Sequence, residues 1–106
     1  MISKLKDLNN EIKTKEKEYA VSKDRLRKAK FEKEYKIAAI VATTPWKEHN
    51  ITNEQGRHSY ITLHTVDETE TVHQIQKDTD LLELEVGALK RMYRILMEQQ
   101  RSENNE

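Results

Sequence analysis

Along the second half of the chain, Ile61, Thr65, Glu68, Val72, Ile75, Thr79, Leu82, Val86, Leu89, Tyr93 and Leu96 fall alternately three and four residues apart. Mostly apolar residues on that spacing form one stripe of a long helix. The first half carries Leu5, Leu8, Ile12, Lys15, Tyr19, Ser22, Leu26, Ala29, Lys33, Lys36 and Ile40 on the same spacing. The pattern predicts an all-α fold, a long antiparallel two-helix hairpin of coiled-coil type folded back at a break near Pro45.

The expected organisation is a single domain: a first helix over 1–44, a hinge over 45–52, a second helix over 53–100 and a disordered tail over 101–106. Thr44-Pro45 ends the first helix, because the proline ring restricts the residue before it and lacks an amide donor. Thr52-Asn53-Glu54-Gln55 reads as a capping box opening the second. Each arm then spans about 40 residues, roughly 60 Å at the helical rise. A rival reading pairs 36–44 with 59–66 as a β-ribbon, since both are rich in β-branched residues. An isolated ribbon is marginally stable and Ala38, Ala39 and Ala42 favour helix, so the helical reading leads.

Setting Leu5 opposite Leu96 places Ile12 by Leu89, Tyr19 by Leu82, Leu26 by Ile75 and Ile40 by Ile61. Polar seam residues then meet mostly polar ones: Ser22 faces Thr79, Lys33 faces Glu68 and Lys36 faces Thr65. Lys15 falls by Val86, where its stem can lie along the seam with its ammonium in water. Seam polarity of this kind penalises slipped registers more than it stabilises the correct one.

Composition agrees with extended helices. The 106 residues are 35% hydrophobic and 36% charged, with two Gly and one Pro, too polar for a large globular core. Net charge is zero, but residues 1–44 hold 12 Lys or Arg against 7 Asp or Glu (+5), and residues 60–106 hold 5 against 10 (−5). Oppositely charged arms favour fold-back over parallel association of like helices. With no Cys, disulfides and thiolate metal sites are excluded. The longest apolar run, Ile37 to Ala42, is too short to cross a bilayer, and the first residues lack a signal-peptide core, so the expectation is a cytoplasmic protein without membrane contact. Asn50-Ile51-Thr52 has the form of a glycosylation acceptor, which such a location makes a coincidence.

A second apolar stripe lies off the seam: Phe31, Tyr35, Ala38 and Ala42 on the first arm, and Leu81, Leu84, Ala88 and Ile95 on the second. Phe31, Tyr35, Leu81, Leu84 and Ile95 are therefore candidate self-association residues, giving a four-helix homodimer. The plainer reading leaves the aromatics shielding the hinge end and the leucines singly exposed.

Catalytic chemistry is sparse. His49, His58, His64 and His73 form no HExxH pattern, and only His64 with Glu68 has a two-ligand i, i+4 spacing, so no metal or other cofactor is expected. Acid pairs such as Asp78/Asp80 and Glu83/Glu85 point in different directions on a helix and read as a solvated face. Without a nucleophile–base pair or a glycine-rich phosphate loop, the chain does not read as an enzyme. Lys23, Arg25, Arg27, Lys28 and Lys30 form a basic run of the kind that contacts phosphates, but it faces an acidic stretch and has no interleaved aromatic. At the tip, Trp46 either plugs the end of the core, the commoner use, or is offered to a partner. Asn50, Asn53, Arg57 and Tyr60 surround it as candidate partner-binding residues.

Thr43-Thr44-Pro45-Trp46 followed by Thr52-Asn53-Glu54-Gln55-Gly56-Arg57-His58-Ser59-Tyr60-Ile61 resembles the hinge of small helical-hairpin proteins of bacteriophages and prophages of Gram-positive bacteria. There a lysine-rich helix ends at a Thr/Asp/Trp element, and a polar turn leads to a basic residue and Tyr-Val or Tyr-Ile. Trp46, Thr52, Arg57, Tyr60 and Ile61 occupy the recurring positions, and Pro45 stands where Asp is more usual. The specific match covers about 20 residues, flanked by helices alike in character. The resemblance implies a phage accessory protein. The expected function is a non-enzymatic interaction protein binding a phage or host protein through the tip or outer helix face, with a nucleic-acid-associated recombination or replication accessory as the alternative.

Overall fold

The computed structural model describes residues 2–104. They form three helices, α1 (Ile2–Thr43), α2 (Glu54–His64) and α3 (Val66–Asn104). No strand occurs among the described residues, so the segments that suggested a β-ribbon are helical. The alanines of α1 and the seam contacts below outweigh the β preference of their neighbours. The fold is the all-α long hairpin that the heptads predict.

Contacts group into two units. One joins α1 as far as Asp24 to α3 from Lys77 onward; the other is Arg25–Gln76 and contains the hinge. In the first unit Leu5, Leu8, Ile12 and Val86 form a buried apolar seam, and in the second Leu26 and Ile75 do the same. Every seam position named from the sequence on either arm is buried or half-buried.

Polar seam positions are paired. In the first unit the buried Ser22 Oγ and Thr79 Oγ1 lie 2.6 Å apart, in the expected register. Lys15 Nζ reaches past Val86 to Glu85, at 3.0 Å, and also lies 3.4 Å from Glu18. In the second unit, Lys36 Nζ donates to Glu68 Oε1 at 2.5 Å. This corrects the expected facing of Lys33 with Glu68 and of Lys36 with Thr65. The Thr65 hydroxyl donates to the Ile61 carbonyl of its own helix at 2.8 Å, so Lys36 finds its partner one layer further along.

Three boundaries also differ from expectation. The second arm is two helices rather than one, interrupted at Thr65, which has φ −123° and ψ 22°. Thr65 is 2% exposed, and its amide donates to Thr62 rather than to Ile61. A β-branched run, Ile61-Thr62 and Thr65-Val66, combined with a hydroxyl bonded back to the i−4 carbonyl, loosens a helix at that point. The helix cap is Asn53, whose side chain accepts from the Gly56 amide at 2.7 Å, replacing the expected box of Thr52 with Gln55. Asn caps at least as well as Thr, and Gly at the third helical position has no side chain to complete a box. Finally, α3 continues through Asn104, so 101–104 is helix rather than disordered tail, while Met1, Asn105 and Glu106 lie outside the described residues. Arg101 in the last turn suits the negative end of the helix dipole.

Candidate functional site

The hinge is a single helical turn closed by a capping motif. After α1, the Thr43 and Thr44 hydroxyls bond back to Ala39 and Ile40 carbonyls at 2.7 and 2.5 Å, ending the helix before Pro45. The His49 amide donates to Pro45 O, the Asn50 amide to Lys47 O at 3.1 Å and the Ile51 amide to Trp46 O at 2.9 Å. Those last two bonds, 5→2 and 6→1, constitute a Schellman motif. Asn50 supplies the left-handed residue it requires, with φ 57°, a position that glycine and asparagine tolerate best. The motif turns Ile51 back toward Trp46, pairing the apolar residues at its two ends.

Ile51 also fits against Gly56. A Cβ on Gly56 would lie 3.3 Å from Ile51 Cγ2 and 3.0 Å from Asn53 Oδ1. A bare backbone at the start of α2 lets the hinge lie close to the helix while Asn53 keeps its cap.

On the other side of Trp46 stands an aromatic cluster. The Trp46 and Tyr60 rings meet edge to face, 5.4 Å between centroids at 76°. Tyr60 in turn lies 4.2 Å from the His64 ring and 5.8 Å from that of His49. Trp46 Nε1 donates to Val41 O at 3.3 Å, which ties the indole to the end of α1. Such edge-to-face pairs add about 0.5–1.5 kcal/mol beyond their burial.

The free side of this arrangement is a cleft of about 490 Å³ lined by Pro45, Trp46, Lys47, Glu48, Ile51, Thr52 and Arg57. The lining combines three apolar residues, Pro45, Trp46 and Ile51, with Thr52, two cations and one carboxylate. Trp46 and Tyr60 are half-buried and Arg57 is exposed. Trp46 packs against Tyr60 at the hinge and also lines the cleft.

Of the candidate tip residues, the structure brings Trp46 and Arg57 to the cleft. The other three shape it: Asn50 holds the left-handed turn, Asn53 caps α2 and Tyr60 meets Trp46 edge to face. Sequence reasoning missed Ile51 as a lining residue. A lone aliphatic residue in a polar hinge, directly after an asparagine able to take a positive φ, was the available signal.

The remaining candidates are dispersed. Lys23 sits over the Tyr19 ring at 4.4 Å in the first unit, while Arg25, Arg27, Lys28 and Lys30 belong to the second, and Arg27 and Lys28 are engaged in contacts of their own. Phe31 and Tyr35 are exposed in the second unit, and Leu81, Leu84 and Ile95 in the first. His64 is stacked on Tyr60 and Glu68 is bound to Lys36, which separates the one pair with ligand spacing. No group of three metal-ligating side chains occurs among the described residues, and none of their helices is long and apolar enough to cross a membrane.

Lys36 holds the Glu68 carboxyl below its ordinary pKa, with a backbone hydrogen bond adding to the effect. The Lys15 ammonium is held above its ordinary value, first by its hydrogen bond to Glu85 and then by Glu18. Both shifts belong to structural pairs of the seam rather than to the cleft.

Comparison with known protein families, curated proteins and solved structures finds no match to this chain.

Proposed function

We propose that this chain is a non-enzymatic protein-binding module, of the phage accessory kind, that takes a segment of a partner protein in the hinge cleft and associates with a second copy through an outer helix face. The observation that carries the first part is the cleft itself, in which Pro45, Trp46 and Ile51 line the same space as Lys47 and Arg57. A concave apolar patch with an aromatic anchor and a few charges suits a short segment presenting one apolar side chain beside an acidic one. Glu48 disfavours a segment whose acids lie on its side of the cleft.

A photo-crosslinking residue at Lys47, with another at Leu84 for comparison, tests this in Gram-positive bacterial cells. The expected result is a discrete protein adduct at Lys47 that disappears with Trp46→Ala and with Arg57→Glu. An adduct indifferent to both substitutions, or none, overturns the reading.

The rival reading is the nucleic-acid-associated accessory, resting on the basic run Lys23, Arg25, Arg27, Lys28 and Lys30 of the α1 sequence. Salt-dependent retardation of DNA or RNA, abolished when Arg25, Arg27 and Lys28 become Glu with helicity retained, would put nucleic-acid binding in its place.

A further inference from the structure

Within the first unit, α3 carries a second stripe on the side away from the seam: Leu81, Leu84, Ala88, Met92 and Ile95. The four large residues are all exposed, Leu84 by 69% and Ile95 by 55%. Met92 belongs here although it falls outside the strict heptad, because a straight helix drifts relative to a seven-residue repeat. The intervals run three, four, four, three and are symmetric about Ala88.

That symmetry has a geometric meaning. When two copies of a helix pack antiparallel about a two-fold axis, a residue a given distance before the axis meets the residue the same distance after it. With the axis at Ala88, Leu81 meets Ile95 of the other copy, Leu84 meets Met92, and Ala88 meets itself at the closest approach. Both ends of the stripe are apolar and of similar bulk, so each finds a matching occupant.

Charge selects the same arrangement. Asp80 and Glu83 precede the axis while Arg91 and Arg94 follow it, on one flank of the stripe. Antiparallel packing keeps this flank of both copies on one side and sets the acids of one copy along the arginines of the other. Arg91 lies along its own helix toward the acidic half, its Nη1 3.4 Å from where a Gly87 Cβ would stand.

We infer that the Leu81–Ile95 face of α3 is a two-fold interface, and that its occupant is the same face of a second copy of this chain, antiparallel and centred on Ala88. The inference deepens the self-association part of the proposed function and rests on it. Phe31 and Tyr35, exposed in the other unit, have no part in it.

The chain has no cysteine, so single replacements report geometry cleanly. Sedimentation across a wide concentration range reads self-association, and a short bismaleimide linker reads the register. The expected result is a dimer in which Ala88→Cys cross-links to itself. Leu84→Cys and Met92→Cys each fail to cross-link alone yet join when mixed. Leu84→Lys is expected to give a monomer of unchanged helicity by circular dichroism. A monomer at high micromolar concentration overturns both the inference and the self-association reading. A dimer in which Leu84→Cys cross-links to itself, or in which Leu84→Lys still dimerises, overturns the inference alone.

Discussion

Ser22 Oγ and Thr79 Oγ1 lie 2.6 Å apart in a buried layer of the seam, contributed by α1 and α3. A hydroxyl pair within an otherwise apolar seam fixes register, since a slip would set either hydroxyl against an apolar neighbour. Ser22→Ala and Thr79→Val are each expected to cost about 1 kcal/mol, and the double variant less than the sum. Urea unfolding at one fixed protein concentration checks this, because self-association would shift apparent stability. Strict additivity would mean that the two hydroxyls do not act together.

Two seam ion pairs give stability a pH dependence of opposite sign at the two extremes. The Glu68 carboxyl is depressed below its ordinary 4.5, so its contribution is present above that value and is lost as pH falls through the folded pKa. The Lys15 ammonium is raised above its ordinary 10.5, so its contribution is present below that value and is lost as pH rises through the folded pKa. Thermal unfolding across pH should therefore show the acid limb flattened by Glu68→Gln and the alkaline limb flattened by Lys15→Met, with each substitution leaving the other limb unchanged.

The two glycines should respond differently to alanine. At Gly87, inside α3, an added Cβ meets only the Arg91 guanidinium, at an ordinary 3.4 Å. Gly87→Ala is thus expected to stabilise by about 1 kcal/mol through helix propensity. At Gly56 the Cβ presses on Asn53 Oδ1 and Ile51 Cγ2, so the same gain is offset by displacement of the cap and hinge. Equal stabilisation at both positions would mean that the hinge does not lie closely on α2.

The hinge predictions follow from its two asparagines. Asn53→Ala removes the cap of α2 and should cost about 1 kcal/mol. Asn50→Gly keeps the positive φ and should be neutral or stabilising, whereas Asn50→Val should be destabilising, since a β-branched residue is strained there. Trp46 is the sole tryptophan, and its fluorescence reads the same distortion directly. Asn50→Val should alter it, and Asn50→Gly should not.

Heptad spacing made the seam and the Ser22–Thr79 register legible because burial on one helix face depends only on sequence interval. The break at Thr65 was not legible, since it arises from a hydroxyl bonded back to the i−4 carbonyl within a β-branched run, a local choice that heptad spacing does not rank. Lys36 meeting Glu68 was not legible either, because a long flexible side chain can reach a carboxylate in the next layer. At the tip, Trp46 and Arg57 stood out by residue type. Ile51 joined them only through the positive φ of Asn50, a backbone property that asparagine permits but does not announce.

Ser22 faces Thr79 in an antiparallel fold-back register, and a pair of cysteines at positions 22 and 79 reads that register as a covalent bond. Replacing hydroxyls 2.6 Å apart places two sulfurs within bonding reach, and the chain has no other thiol. Mild oxidation is expected to close an intrachain disulfide in the 22/79 variant with helicity unchanged, and to leave the slipped pairs 22/75 and 22/86 reduced. Equal closure of a slipped pair, or exclusively interchain linkage of the 22/79 variant, would contradict that register.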